Sequence, residues 1–319
     1  MHSHELQQAL DLLEWAQTPS DLFDLDEDEV AVSGRAGGRG GEGAVEPAGY
    51  AYRVGGRIGR GDLADLYAAE TGRGEPVVLK VPHDPADSDL IEREAVALNQ
   101  LATEGERRFL PYVPRLVETF RYRDVATGTV RQVNVLGRLQ GCYSLAEVRD
   151  AYPDGLDPRD VAWMWRRLLV ALGFAHHAMV LHGAVIPEHV LIHPEKHGLV
   201  LVDWCYSVPG CYAPVDPSGL VPAMIDRYAD WYPWEVPARR PAGPATDIHM
   251  ATLCMAYLLP DELPRPLRQF IRGCVLPGRR SRPYDAWELL GELDEILERL
   301  YGPRRFRPFH MPEKENPHG

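Results

Sequence analysis

Apolar and polar positions change their rhythm twice along this 319-residue chain. Between residues 5 and 17, Leu6, Ala9, Leu10, Leu13 and Ala16 recur at helical spacing, which predicts a short amphipathic helix with one apolar stripe. The acidic run DLFDLDEDE follows, and then SGRAGGRGGEG, whose glycine density makes an ordered backbone entropically costly, so residues 1–49 read as helix, acidic tether and linker. Over residues 50–140 the segments YRVGGRIG, DLYAAE, PVVLKV, RLVETFRY and RQVNVLGRL read as short strands separated by turn residues. One helix, SDLIEREAVALNQL, interrupts them and places Ile91, Ala95, Leu98 and Leu101 on a single face. Residues 141–302 are mainly helical in pattern, with proline and glycine punctuation, and residues 303–319 read as a flexible tail. The expectation is an α+β chain in two unequal lobes: a small antiparallel sheet with one helix, then a larger helical lobe.

Composition removes several classes of function. With 47 acidic against 34 basic residues the formal charge is -13, which argues against sequence-independent attraction to nucleic acid or to anionic membrane surfaces. Five scattered cysteines without CxxC spacing suit reduced thiols and no structural zinc. The start MHSHELQQAL has neither the positive charge nor the apolar stretch of a secretory signal, and the most apolar window, residues 161–186, is broken by Arg166, Arg167 and three histidines. A cytoplasmic chain that leaves membranes alone is expected.

The candidate chemistry comes as an ordered series. In IGRGDLADLY, Gly59 and Gly61 flank one residue, so backbone N–H groups can approach a phosphate, although such a pair is equally an ordinary hairpin turn. PVVLKV then ends on Lys80, and Glu94 lies on the next helix, where the two pair either to aim an ammonium at phosphate oxygens or as a plain surface ion pair. HGAVIPEHVLI, LVLVDWCYSV, YPWE, ATDIH and SRP follow. Taken in this order, these segments resemble the eukaryotic-type protein kinase family over about residues 50–302.

The resemblance implies a nucleotide site. Ile58, Gly59 and Gly61 match the start of the family's glycine-rich loop, with Ala64 in place of a third glycine, and Lys80 and Glu94 match its strand lysine and helix glutamate. Val135, Leu136 and Gly137 fall where the hinge meets the adenine, with Leu136 as gatekeeper, and Leu66, Val78 and Leu191 complete the expected nucleotide pocket. Asp203 matches the metal-binding aspartate, followed by Trp204 and Cys205 where phenylalanine and glycine are usual. In the catalytic loop His182 is kept, but Gly183 replaces the arginine, Ala184 the general-base aspartate, Ile186 the phosphate-supporting lysine and His189 the asparagine that holds a second magnesium. Glu188 is read as a structural glutamate turned into the large lobe.

Scaffold positions match more fully. Leu98, Leu116, His182 and Trp204 fall on the family's inter-lobe hydrophobic column, Asp247 on its buried anchor, and Glu235 and Arg282 on the pair that holds the end of the activation segment. Trp163, Trp165, Trp231, Trp234 and Trp287 read as core or lobe-packing residues, and His176 as a packed position. His189 and His193 are a weak metal motif on their own. The series thus implies a pseudokinase that binds ATP or ADP with Mg2+ and works through a protein partner. A weak atypical phosphotransferase and a scaffold that binds no nucleotide are the alternatives.

Overall fold

A computed structural model of the protein describes residues 52–123, 128–210 and 218–312. The expected helix at 5–17, the acidic run and the glycine-rich linker lie outside them. The strand-like segments form strands β1 (Arg53–Arg60), β2 (Ala64–Glu70), β3 (Pro76–Pro82), β4 (Leu116–Arg123) and β5 (Val130–Gly137), joined antiparallel in the order β1-β2-β3-β5-β4. Period-two alternation divides the faces of the central strands. Val77, Leu79, Val133 and Val135 pack together on one face, whereas Val78 and Lys80 stand opposite Leu136 and Asn134 on the other. Helix α1 (Ser88–Glu104) covers that second face and buries Ile91, Ala95, Leu98 and Leu101, the stripe its spacing predicts.

The larger lobe follows β5. It comprises β6 (Tyr143–Ser144), α2 (Leu145–Ala151), α3 (Pro158–His177), β7 (Val180–Leu181), β8 (Val190–His193), β9 (Gly198–Leu201), β10 (Val208–Pro209), α4 (Pro244–Leu258), α5 (Arg265–Cys274) and α6 (Ala286–Tyr301). Ser144 starts α2 with a reciprocal capping box to Glu147. Helix α3 is the axis of the lobe, and its residues from Leu168 to Ala175 are all buried. At Gly173 an added Cβ would stand 2.5 Å from the Trp287 ring, so the glycine lets α6 lie close against α3. One continuous core joins the lobes: Leu98 and Leu101 of α1 belong to the same buried cluster as Phe109, Phe174 and Trp204.

Two expectations are corrected. Residues 303–312, read as part of a flexible tail, run along the large lobe because aromatic and charged contacts hold them. Phe309 is buried between Tyr152 and Trp163, Phe306 stacks on His197, and Arg307 pairs with Asp160 at 2.8 Å. Trp234, read as a packing residue, is 52% exposed, because it lies in a turn outside the helices, whereas Trp165 is buried as expected. Among the described residues no helix is long and apolar enough to cross a membrane.

Candidate functional site

The cleft between the lobes is built around one lysine. Strand β3 carries Lys80 to the inner face of the sheet, α1 presents Glu94 beneath it, and Asp203 reaches in from the segment after β9. Lys80 Nζ donates to Glu94 Oε1 at 2.9 Å and to Asp203 Oδ1 at 2.8 Å. Glu94 is fully buried and also accepts from the Trp204 backbone N–H and from the Asn134 side-chain amide, so both its oxygens are occupied. Burial pulls the Lys80 ammonium down, but Asp203 and Glu94 outweigh it and hold its pKa well above the usual lysine value. Burial raises the Asp203 carboxyl in turn, and Lys80, with His189 beside it, overcomes this and holds it far below the usual carboxylate range. Asp203 adopts a left-handed backbone (φ 63°, ψ 66°), sparsely populated for a residue other than glycine. Three charges thus meet in a fixed arrangement, an ammonium between two carboxylates.

Asn134 escapes the sequence reading. It donates to Glu94 Oε2 at 2.9 Å and to the Ile91 carbonyl at 2.8 Å, which ties strand β5 to helix α1 beneath the lysine. Its one signal is an amide set inside the apolar run VNVL.

The remaining expected nucleotide positions fall as follows. Leu66 stands opposite Lys80, and Val78 opposite Leu136, all on the cleft-side face. Gly137 ends β5, and Leu191 lies half-buried on β8 in the opposite lobe. Gly59 pairs with Leu66, and the Gly61 N–H donates to the Ala64 carbonyl to close the β1–β2 turn. Ile58 is 48% exposed, so it contributes less wall than the others.

The catalytic-loop positions differ in character. Asp247 accepts from the His182 and Gly183 backbone N–H groups, both at 2.9 Å, and bonds His176 Nε2 at 2.9 Å. His182 donates through Nε2 to the Val202 carbonyl, accepts at Nδ1 from the Ala184 N–H, and meets Trp204 edge-on at 4.7 Å. Burial lowers the His182 pKa to about 4, so the ring is neutral. Gly183 has φ +78°, and a Cβ there would stand 2.3 Å from the Tyr206 carbonyl oxygen. Ala184 and Ile186 are fully buried, and neither carries a group that can take a proton or neutralise phosphate. His189 bonds the Ala184 carbonyl through Nδ1 at 2.8 Å, with Nε2 3.4 Å from Asp203 Oδ2. His193 lies apart, on the β8–β9 hairpin.

Glu188 has a mixed environment. It is partly exposed: one carboxylate oxygen pairs with Arg227 at 3.2 Å, while the other is buried beside Tyr228 and Cys254 of the large lobe. The same guanidinium pairs with Asp62 beside Gly61, so one side chain joins the β1–β2 turn, the loop before β8 and the segment after β10. Sequence reasoning missed both Asp62 and Arg227, since neither falls on a motif. Glu235 and Arg282 form a buried pair, Arg282 Nη2 donating to both Glu235 oxygens at 2.6 and 2.7 Å.

No family model matches the sequence. Among solved structures, a BubR1 kinase domain aligns with a TM-score of 0.60 at 16% sequence identity, over 80% of this chain and 82% of that one. The two-lobed architecture and this alignment define a protein-kinase-like fold.

Proposed function

We propose that the protein is a nucleotide-binding pseudokinase: a kinase-like domain that holds ATP or ADP with a divalent cation and acts through a protein partner, without catalysing phosphoryl transfer. The observation that carries this reading is Lys80, bonded at 2.9 and 2.8 Å to Glu94 and Asp203, above a loop whose base position is the buried Ala184. The lysine supplies charge for phosphate oxygens, and the Asp203 carboxylate is a donor suited to a hard cation such as Mg2+. Leu66, Val78 and Leu136 offer an apolar wall for a purine. Glu188, the carboxylate nearest in sequence to the base position, is paired with Arg227.

Thermal shift with ATP, ADP and Mg2+ tests the nucleotide half. A ligand at a hundred times its dissociation constant stabilises the native state by about 2.7 kcal/mol, and Lys80→Met should abolish most of that gain. No shift with any purine nucleotide would favour the scaffold. Transfer of labelled phosphate to generic acceptors tests the other half: turnover that vanishes in Asp203→Ala would establish an atypical phosphotransferase.

A further inference from the structure

The ring of His189 has a fixed orientation. Its Nδ1 lies 2.8 Å from the Ala184 carbonyl, and since a carbonyl only accepts, Nδ1 carries the hydrogen and Nε2 is the atom turned to Asp203. The Tyr206 ring stacks on it at 6.0 Å with a 22° interplanar angle, which limits rotation. Metal-ligating histidines are commonly held this way, with the far N–H donated to a carbonyl.

The second distance points in the same direction. Nε2 and Asp203 Oδ2 are 3.4 Å apart, long for a charge-assisted hydrogen bond, which is about 2.7–2.9 Å. Two ligands each about 2.1 Å from one ion at a tetrahedral angle are separated by ~3.4 Å, and in octahedral geometry by ~3.0 Å. The pair therefore spans the edge of a coordination shell. Lys80 holds the other oxygen of Asp203, which leaves Oδ2 for the ion. Cys205 lies nearby as a further candidate donor, its sulfur grouped with oxygens of Glu94 and Asp203.

We propose that His189 Nε2 and Asp203 Oδ2 bind a divalent ion that accepts imidazole, of the Zn2+ class, in preference to Mg2+. Imidazole suits zinc and its transition-metal neighbours, whereas magnesium takes oxygen ligands and keeps its water. This deepens the proposed function and rests on it for one point only, that phosphate oxygens complete the shell when nucleotide is present.

The test is equilibrium dialysis of the full chain against Zn2+ and Mg2+, without nucleotide and then with ADP, for the natural sequence, His189→Asn and Asp203→Asn. Histidines elsewhere bind some zinc, so the readout is the difference between chains. The natural sequence should hold one more equivalent of Zn2+ than either variant, with Zn2+ at least tenfold tighter than Mg2+ at that site. His189→Asn should reverse the preference when ADP is present. Equal zinc stoichiometry and affinity in the natural chain and both variants would overturn the proposal, as would a natural chain that prefers Mg2+. ADP binding by the natural chain in EDTA is measured separately: its absence beside an intact zinc equivalent sinks the nucleotide reading alone, and its presence without that equivalent sinks this inference alone.

Discussion

The two walls of the cleft are built from the same kinds of contact and carry opposite chemistry. On the small-lobe side, Lys80, Glu94 and Asn134 form a buried polar chain in which every group meets a charged or hydrogen-bonding partner. On the large-lobe side, positions 183, 184 and 186 are filled by Gly183, Ala184 and Ile186, and the loop backbone there is held by Asp247, His182 and His189. Burying a charge is tolerable only when its partners are supplied, so the first wall keeps its ions because each has a counterpart. The second carries no charged side chain at positions 183, 184 and 186. The loop backbone therefore does not rest on a side chain at position 184 or 186: Asp247, on another helix, holds the His182 and Gly183 N–H groups, and His182 and His189 hold Ala184.

The contrast can be broken from either side. The largest effect should come from the polar wall: Glu94→Ala removes the acceptor of Lys80, Asn134 and the Trp204 N–H together. It should destabilise the fold by roughly 3–5 kcal/mol, read by denaturant unfolding. On the opposite wall, Gly183→Arg should destabilise by roughly 2–4 kcal/mol, through positive φ and the close Tyr206 carbonyl. A soluble variant of unchanged stability would show that the loop accepts a charged side chain at position 183 without rearranging.

A third test concerns pH. The folded pKa of His182, about 4, lies below the unfolded value of about 6.5, so between these values the unfolded chain binds more protons. The contribution is complete above about pH 6.5 and is lost as pH falls toward 4. Melting temperature should decline across that window, and His182→Phe, which keeps an aromatic ring against Trp204, should flatten the decline. The depressed Asp203 carboxyl adds its own loss only below about pH 3.9. The smallest expected effect is that of Arg227→Ala. Both its carboxylate partners are partly exposed, so stability should change by no more than about 1 kcal/mol. Nucleotide association should quicken severalfold once the turn at Asp62 is released, as measured by stopped-flow fluorescence of a labelled nucleotide.

Local pattern carried much of this into the sequence. The five strands and the apolar stripe of α1 are legible because period two and period 3.6 differ sharply in short segments, and Lys80, Glu94 and Asp203 because they recur in a recognisable order. Asn134 was not, since a single amide in a strand has no spacing to betray it. Arg227 and Asp62 are separated by 165 residues and meet only because the fold brings the segment after β10 over the β1–β2 turn. The anchoring of Phe309 was likewise invisible, for a proline- and arginine-rich end reads as solvated until Trp163 and Tyr152 are known to lie beneath it.

Among the described residues, the sheet order β1-β2-β3-β5-β4 puts β1 and β4 at its edges, and both are rich in arginine: Arg53, Arg57 and Arg60 on β1, Arg121 and Arg123 on β4. Each strand also slips register against its neighbour, twice in β1 and once in β4. Unpaired strand margins invite copies of a chain to polymerise edge to edge, and bulky cations with kinked backbone make that approach unfavourable. Exchanging those arginines for valine or threonine would leave Lys80, Glu94 and Asp203 untouched and still turn the sheet margins into templates for fibres.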